Sequence, residues 1–441
     1  MARAVKRQAA KASGEDEEEV RLLALILKKD GLEDAKCKEK LKKHCEELNE
    51  AKIDLEKIHK KLKDICEKIT EKCTKLKDNV EKKCTEFKEK LKQKTKDIST
   101  LKDDDCRKNE QQCLFLEGAC PSVLVEDCNK LRNLCYQRKR DKVAKEVLLR
   151  AVRGNLTNET TCQGNLKEIC PVLGRESDEL TNLCLNQEDT CKNIIKEKDN
   201  KCTTLKANVA TALGSFRKET CLELLEQCYF YIGNCEDDDI IKCIELGGKC
   251  QEQNIAYIPP GPDFDPTRPE ATIAEDIGLE ELYKEAEKDG VFIGKNHLRD
   301  ATALLVFLIK DSNSKKEDKE KCKEALQKSC KNPHEHETLE NLCKGNTLSD
   351  YGEKKCEELQ DDVNKTCKIF TSKVIDNRLF DPTKGNNEIV GWEGLPTFLS
   401  NEDCAKLESY CFYFEKKCPD SEKACKNIRA TCYKRGLDAR A

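Results

Sequence analysis

The sequence predicts an all-α protein: three disulfide-stapled helical repeat units of ten cysteines each, with a Pro-rich linker before the third. Three observations predict it. Thirty cysteines in 441 residues divide into three sets with matching gaps. Apolar residues recur every three or four positions around them, the period of a helix with one buried face. Two recurrent separations, seven and eleven, bring a residue back to nearly the same helix face.

The first set is Cys37, Cys45, Cys66, Cys73, Cys84, Cys106, Cys113, Cys120, Cys128 and Cys135. The second is Cys162, Cys170, Cys184, Cys191, Cys202, Cys221, Cys228, Cys235, Cys243 and Cys250. The third is Cys322, Cys330, Cys343, Cys356, Cys367, Cys404, Cys411, Cys418, Cys425 and Cys432. The first gap is 8 and the gap from fourth to fifth member is 11 in every set. The last five members are spaced 7, 7, 8, 7 in two sets and 7, 7, 7, 7 in the third. No two cysteines lie closer than seven residues, so the close pairs of zinc ribbons and fingers are missing. An even count at wide spacing predicts disulfides and an oxidising compartment. With 12 Phe, 9 Tyr and 1 Trp the apolar core per domain is thin, and covalent staples suit it. Basic and acidic residues are nearly balanced, 81 against 85, which excludes the basic excess of a nucleic-acid binder.

Residues 1–19 are expected to be a disordered N-terminal segment, with Lys6 and Arg7 as a dibasic processing site. Cysteine-rich helical unit 1 covers 20–140 and unit 2 covers 141–254. A Pro-rich linker with a short helix fills 255–298, and unit 3 covers 299–441. Each unit opens on an apolar run, at 20–27, 143–149 and 301–309, read as a buried helix. These runs are too short to span a bilayer, so no direct membrane span is expected. The linker holds five of the eleven prolines, which keeps its first part extended; GLEELYKEAEKDG then reads as one helix with a glycine stop. The ends carry neither an apolar leader core nor a hydrophobic tail, so export through the secretory pathway is expected to use a signal outside this chain.

Within unit 1 the stripe Leu48, Leu55, Leu62, Ile69, Leu76, Val80, Phe87, Leu91 predicts one long helix over 38–102. On a helix, seven residues rise ~10.5 Å and eleven ~16.5 Å. A disulfide needs Cα atoms about 4.4–6.8 Å apart, so each thiol must cross to another helix. The back half of each unit is expected to be a hairpin. Pro121 and Pro419 follow the third of its five cysteines, and Gly233-Asn234 precedes it in unit 2. The nested pairs in unit 3 would be Cys404 with Cys432 and Cys411 with Cys425. Each half of a unit holds five cysteines, an odd number, so if every bridge closes within its unit at least one must join the halves; Cys120, Cys235 and Cys418, left near the turns, are expected to do so.

Catalytic signatures are thin. No GxSxG, phosphate loop or HExxH occurs. The histidine pair His334 and His336 fits no common metal spacing and reads as loop. No catalytic residue, cofactor or metal is expected. The acidic runs 15–19, 103–105 and 237–239 read as solvated tails and turns. The triplets Leu114-Phe115-Leu116, Tyr229-Phe230-Tyr231 and Phe412-Tyr413-Phe414 read as core filler. Asn155, Asn158 and Asn364 open N-x-S/T acceptor sequences for N-linked glycan.

The opening MARAVKRQ, the segment IPPGPDFDPTRPEATIAEDIGLEELYKEAEKDGVFIG and the ten-cysteine unit together resemble the major surface glycoproteins of the fungus Pneumocystis. That resemblance implies an antigenically variable, mannose-rich coat glycoprotein at the cell surface, cut after Lys6-Arg7. It implies attachment to host cells through matrix proteins such as fibronectin and vitronectin and, via glycans, to lectins of the lung surface. A competing reading is a secreted saposin-like lipid-binding protein. It would require large apolar inner faces, and the Lys/Glu-rich stretch 38–102 carries only a narrow stripe.

Overall fold

The computed structural model describes residues 18–51, 60–74, 76–98, 101–152, 154, 156–261, 271–288, 290–294, 300–309, 319–333, 336–379, 391 and 394–438. The fold is all-α. Among the described residues the exception is one two-stranded ladder pairing Cys343 with Leu348 and Lys344 with Thr347. The chain forms two compact bodies. One holds Met1–Arg138, Val374–Leu399 and Lys423–Arg435; the other holds Lys139–Lys373, Ser400–Glu422 and Gly436–Ala441.

Unit 1 comprises α1 (18–27), α2 (Asp34–Glu50), α3 (Lys60–Glu67), α4 (Ile69–Cys73), α5 (Leu76–Lys94), α6 (Asp103–Leu116) and α7 (Pro121–Ala151). The long helix expected over 38–102 is broken. Cys37 bridges Cys73 and Cys45 bridges Cys66, with Cα atoms 5.8 and 5.7 Å apart. Cysteines 36 residues apart on a straight helix would stand ~54 Å apart. The two rungs therefore fold α3 and α4 back along α2. The apolar period survives because each arm turns its stripe inward: Cys37, Leu41 and Cys45 are buried on α2, and Ile65 and Cys73 on the returning arm. On α5 the buried set Leu76, Val80, Cys84, Phe87 and Leu91 keeps the helical period.

The back half is the expected hairpin. Cys106 bridges Cys135 and Cys113 bridges Cys128, nesting α6 against α7. Pro121 stands at the first position of α7, where a missing N–H costs nothing. Cys84 bridges Cys120, so the third hairpin cysteine joins the two halves.

Unit 2 repeats this wiring on α8 (Glu159–Leu173), α9 (Asp178–Leu185), α10 (Gln187–Gly214), α11 (Cys221–Tyr231) and α12 (Asp237–Glu252). Its bridges are Cys162–Cys191, Cys170–Cys184, Cys202–Cys235, Cys221–Cys250 and Cys228–Cys243. The linker contributes α13 (Ile273–Asp276) and α14 (Leu279–Lys288), and the stop glycine Gly290 has φ +72°. Unit 3 uses α15 (Ala301–Leu308), α16 (Lys319–Ser329), α17 (Glu337–Leu342), α18 (Asp350–Asp376), α19 (Asn401–Phe414) and α20 (Ser421–Asp438). Cys322–Cys356, Cys330–Cys343 and Cys367–Cys418 match the first three bridges of its sisters. Cys404, Cys411, Cys425 and Cys432 are each disulfide-bonded.

The apolar opening runs are buried as expected. Leu23, Ala24 and Leu27 are buried on α1, and Ala303 to Val306 on α15. The second run forms no separate helix; it is the C-terminal end of the 31-residue α7, with Val147, Leu148 and Leu149 buried. The third residue of each apolar triplet is core: Leu116, Tyr231 and Phe414 are at most 4% exposed. Leu114 departs from the core reading and is exposed. The triplets Asp103–Asp105 and Asp237–Asp239 are not loose turns. They open α6 and α12, and on α6 the carboxylates complement the N-terminal helix charge.

Candidate functional surface and buried polar clusters

Two of the glycan acceptors can be placed. Asn158 is the N-cap of α8, with extended φ −157° and ψ 172°. Its Oδ1 accepts the Thr161 backbone N–H at 2.9 Å, and the side chain is exposed. Asn364 is exposed in the middle of α18, and the hydroxyl of its sequon Thr366 donates to the Asp362 carbonyl at 2.9 Å. Asn155, Lys6 and Arg7 lie outside the described residues, as does His334. His336 caps α17, its Nδ1 accepting from Thr338 N–H at 3.1 Å. Among the described residues no group of His, Cys, Asp and Glu is arranged to hold a metal. No helix of the described residues is long and apolar enough to cross a membrane.

The first body buries an ion cluster between the arms of the unit 1 hairpin. Arg132, fully buried, donates from Nε to both oxygens of Glu110 at 3.0 and 3.2 Å. Its Nη2 reaches Glu117 at 2.7 Å and its Nη1 reaches Asn129 Oδ1 at 2.9 Å. Burial pushes the Glu110 carboxyl above its ordinary range. Burial opposes the guanidinium charge too, but the two facing carboxylates outweigh it and hold Arg132 protonated. Counting from the hairpin cysteines, the matching residues of unit 2 are Leu225, Ile232 and Gly247, all uncharged. Those of unit 3 are Glu408, Glu415 and Arg429.

The second body holds a polar knot at the start of α9. Arg140 grips Glu179 with two bonds, 2.6 and 3.0 Å, and donates to the Phe292 carbonyl. Beside it, Asp178 Oδ2 accepts from Ser409 Oγ, while Oδ1 has no hydrogen-bond partner. Burial first, and the neighbouring Glu179 carboxylate second, push the Asp178 carboxyl up to about 7. A Ser beside an Asp invites a nucleophilic reading, but Asp178, Glu179 and Ser409 are 2–4% exposed and no histidine is bonded to the pair. The knot fixes helices. A second cluster does likewise: Glu146 accepts from the Tyr231 hydroxyl, from Lys201 and from Arg150, and Arg150 stacks 4.0 Å over Phe230. Burial works against the Glu146 charge, but Lys201, Tyr231 and Arg150 prevail and hold its carboxyl below the ordinary value.

One cavity of about 190 Å³ opens between α8 and α17, lined by Cys170, Pro171, Arg175, His336, Glu337, Thr338 and Asn341. It is below the ~300–1,000 Å³ of common ligand sites, and its lining is mostly polar.

The signal that sequence reading missed was the alignment of charges between units. Glu110, Glu117 and Arg132 look like ordinary surface charges until they are set against their apolar counterparts in unit 2.

A family model described as major surface glycoprotein matches residues 100–175, 215–335 and 398–441, together more than half of the chain. Each matched segment opens within a few residues of a hairpin, at α6, α11 and α19. No curated protein and no solved structure gave a match.

Proposed function

Because the chain belongs to the major surface glycoprotein family, we propose that it is a non-catalytic, antigenically variable coat protein of a Pneumocystis cell that attaches to host cells and matrix. The match over all three hairpins carries this reading. The absence of free cysteine supports export: such wiring persists only in an oxidising compartment. Surface residence agrees with the family and with 38% charged residues. Matrix proteins such as fibronectin and vitronectin are the proposed protein partners, and lung lectins the proposed partners of the glycans. Glycan is proposed at Asn155, Asn158 and Asn364, and processing after Lys6-Arg7. Variation between copies of such a coat would fall on the charged helix faces, since the seams are held by sulfur.

The test is binding of the secreted, glycosylated chain to immobilised fibronectin, vitronectin and a mannose-specific lectin, before and after enzymatic deglycosylation. Lectin binding should vanish on deglycosylation while matrix binding persists. No binding to either matrix protein in both states refutes attachment. Peptide mapping in the same experiment reads occupancy. Asn158, extended at a helix end, should carry glycan more fully than Asn364, whose Thr366 hydroxyl is engaged within a helix.

A further inference from the structure

Every cysteine is bonded, but the bridges are not equally sheltered. In Cys202–Cys235 both residues are half-buried. Every other bridge keeps at least one partner in the core: Cys45 is 7% exposed opposite Cys66, and Cys330 is fully buried opposite Cys343. The contrast is sharpest with the equivalent bridges. Cys84–Cys120 and Cys367–Cys418, which join the halves of units 1 and 3, are at most 7% exposed. The turn accounts for the difference. Cys120 stands between Ala119, which is buried, and Pro121 at the start of α7. Cys235 closes the turn Ile232–Asn234 and stands between half-buried Asn234 and exposed Glu236.

The two sulfurs differ in their surroundings. On α10, Lys198 and Lys206 stand one turn to either side of Cys202 and share its helix face. Lys198 pairs with Asp199 at 2.9 Å, and Lys206 reaches Asp239 at 3.4 Å and Glu236 at 3.6 Å. Cys235 is followed by four carboxylates, Glu236 to Asp239. Cations beside a sulfur favour its thiolate and make it the better leaving group, so Cys202 leaves and Cys235 is attacked. The acidic flank of Cys235 repels an anionic thiol and draws a cationic one. Each half of unit 2 is stapled within itself, by Cys162–Cys191 and Cys170–Cys184 in front and by Cys221–Cys250 and Cys228–Cys243 behind. Cys202–Cys235 is the bridge that ties the two halves together.

We propose that Cys202–Cys235 is a thiol–disulfide exchange site, opened at Cys235 by small cationic thiols, and that its state sets how firmly the α11–α12 hairpin is held to α10. The thiolate of one aminothiol attacks Cys235 Sγ. A new S–S bond forms there, the bond to Cys202 breaks, and its electron pair leaves on Cys202, which takes a proton from water. A second aminothiol attacks the aminothiol sulfur of this mixed disulfide, and Cys235 leaves as a thiolate and is protonated. The bridge gains two electrons and two protons, and the two aminothiols become one disulfide. Cys235 Sγ lies 3.3 Å from the Tyr231 carbonyl oxygen, which is in place to accept from the new thiol. The opened hairpin keeps its own two bridges, and its apolar residues Leu224, Phe230 and Leu246 remain in the unit 2 core. Asn234 Oδ1 accepts the Leu156 backbone N–H at 3.1 Å and holds the turn for reclosure. Opening is therefore a local, reversible loosening.

A time course of the full chain with cysteamine, quenched by alkylation and mapped by peptide mass, tests it. Cys202 and Cys235 should open first, about ten times faster than any other pair. In the intermediate the aminothiol should sit on Cys235 and the alkyl group on Cys202. Per thiolate, and relative to an unstructured peptide disulfide, cysteamine should outrun mercaptoethanesulfonate, with the preference fading at about 1 M salt. In the chain opened at this one bridge, hydrogen exchange should rise over 221–252 and stay at the parent level over 159–191. Cys202→Ser with Cys235→Ser should show that exchange pattern without any thiol and should yield no early-opening pair. First opening at another bridge, or loss of every bridge in one step, overturns the proposal. So does an aminothiol found on Cys202, a rate indifferent to thiol charge, or unchanged hydrogen exchange over 221–252.

Discussion

Arg132→Met puts the buried ion cluster to the test. The change keeps the side-chain length and removes four hydrogen bonds, to Glu110 twice, Glu117 and Asn129. Two carboxylates are then left in an interior where Glu110 is 4% and Glu117 3% exposed. Breaking a buried ion cluster by removing one partner costs about 3–5 kcal/mol. Replacing the whole cluster by apolar groups is often neutral or better, and unit 2 already holds its hairpin with Leu225, Ile232 and Gly247. Glu110→Leu, Arg132→Met and Glu117→Ile together should therefore return stability to within about 1 kcal/mol of the parent. With Arg132 gone, burial of Glu110 is opposed by one charge fewer, so the folded state holds a proton on that carboxyl that the unfolded chain releases near pH 4.5. Stability of the single variant should then fall as pH rises from about 4.5, and its deficit should shrink at pH 5. Two compact bodies forbid a single two-state fit for the whole chain. Hydrogen exchange of the peptides spanning 103–135, read by mass spectrometry, reports the hairpin directly. A deficit under about 1 kcal/mol for the single variant, or a triple variant no better than the single, refutes the reasoning.

Asp178→Asn should flatten the pH dependence of the second body. The folded carboxyl titrates near 7 and the ordinary one at 3.8, so its stabilising contribution is present below about 4 and is lost as pH climbs through 7. That is at most about 4 kcal/mol, read as the slope of melting temperature between pH 4 and 7; an unchanged slope sinks it. Gly436→Ala should cost about 1–3 kcal/mol, because its methyl would lie 2.0 Å from Gly290 Cα, whose own φ is +72°. An unshifted thermal midpoint would contradict that crossing. Removing Cys202–Cys235 as a double alanine opens a 33-residue loop, worth about 4 kcal/mol by chain entropy. Removing Cys170–Cys184 opens one of 14 residues, worth about 3 kcal/mol. Cys170 and Cys184 are fully buried while the other pair is half-buried, so cavities add to the second loss. The Cys170–Cys184 variant should thus be the less stable of the two in guanidinium unfolding; the reverse order would show loop entropy dominating.

The hairpins were legible because a spacing of seven on two antiparallel arms admits one nested pairing, seen as Cys106–Cys135 over Cys113–Cys128. Parity required a joining bridge, and Cys120, Cys235 and Cys418, left over near the turns, supply it with Cys84, Cys202 and Cys367 as partners. The fold-back of α3 and α4 onto α2 was hidden. The connecting stretch EAKIDLEKIHK holds neither glycine nor proline, and an apolar period of three to four runs equally through a straight helix and through two arms that face each other. Cysteine arithmetic would have shown it, since 37 with 73 and 45 with 66 nest about one centre. The buried charges stayed hidden because Glu110, Glu117 and Arg132 meet only once the hairpin closes.

Comparison of units 1 and 2 shows what determines the register of a hairpin. Both close through the same five bridges, yet the residues flanking the seam are Glu110, Glu117 and Arg132 in one and Leu225, Ile232 and Gly247 in the other. The inner bridges hold their Cα atoms 5.8 and 5.9 Å apart, the span a disulfide itself imposes whichever residues flank it. Each bridge contributes about 3 kcal/mol, whereas exchanging the whole ion cluster for apolar side chains is close to neutral. A frame fixed by sulfur leaves the flanking positions free to hold a buried charge network in one unit and apolar side chains in another. The same fold can in this way present different surfaces without a change in its wiring.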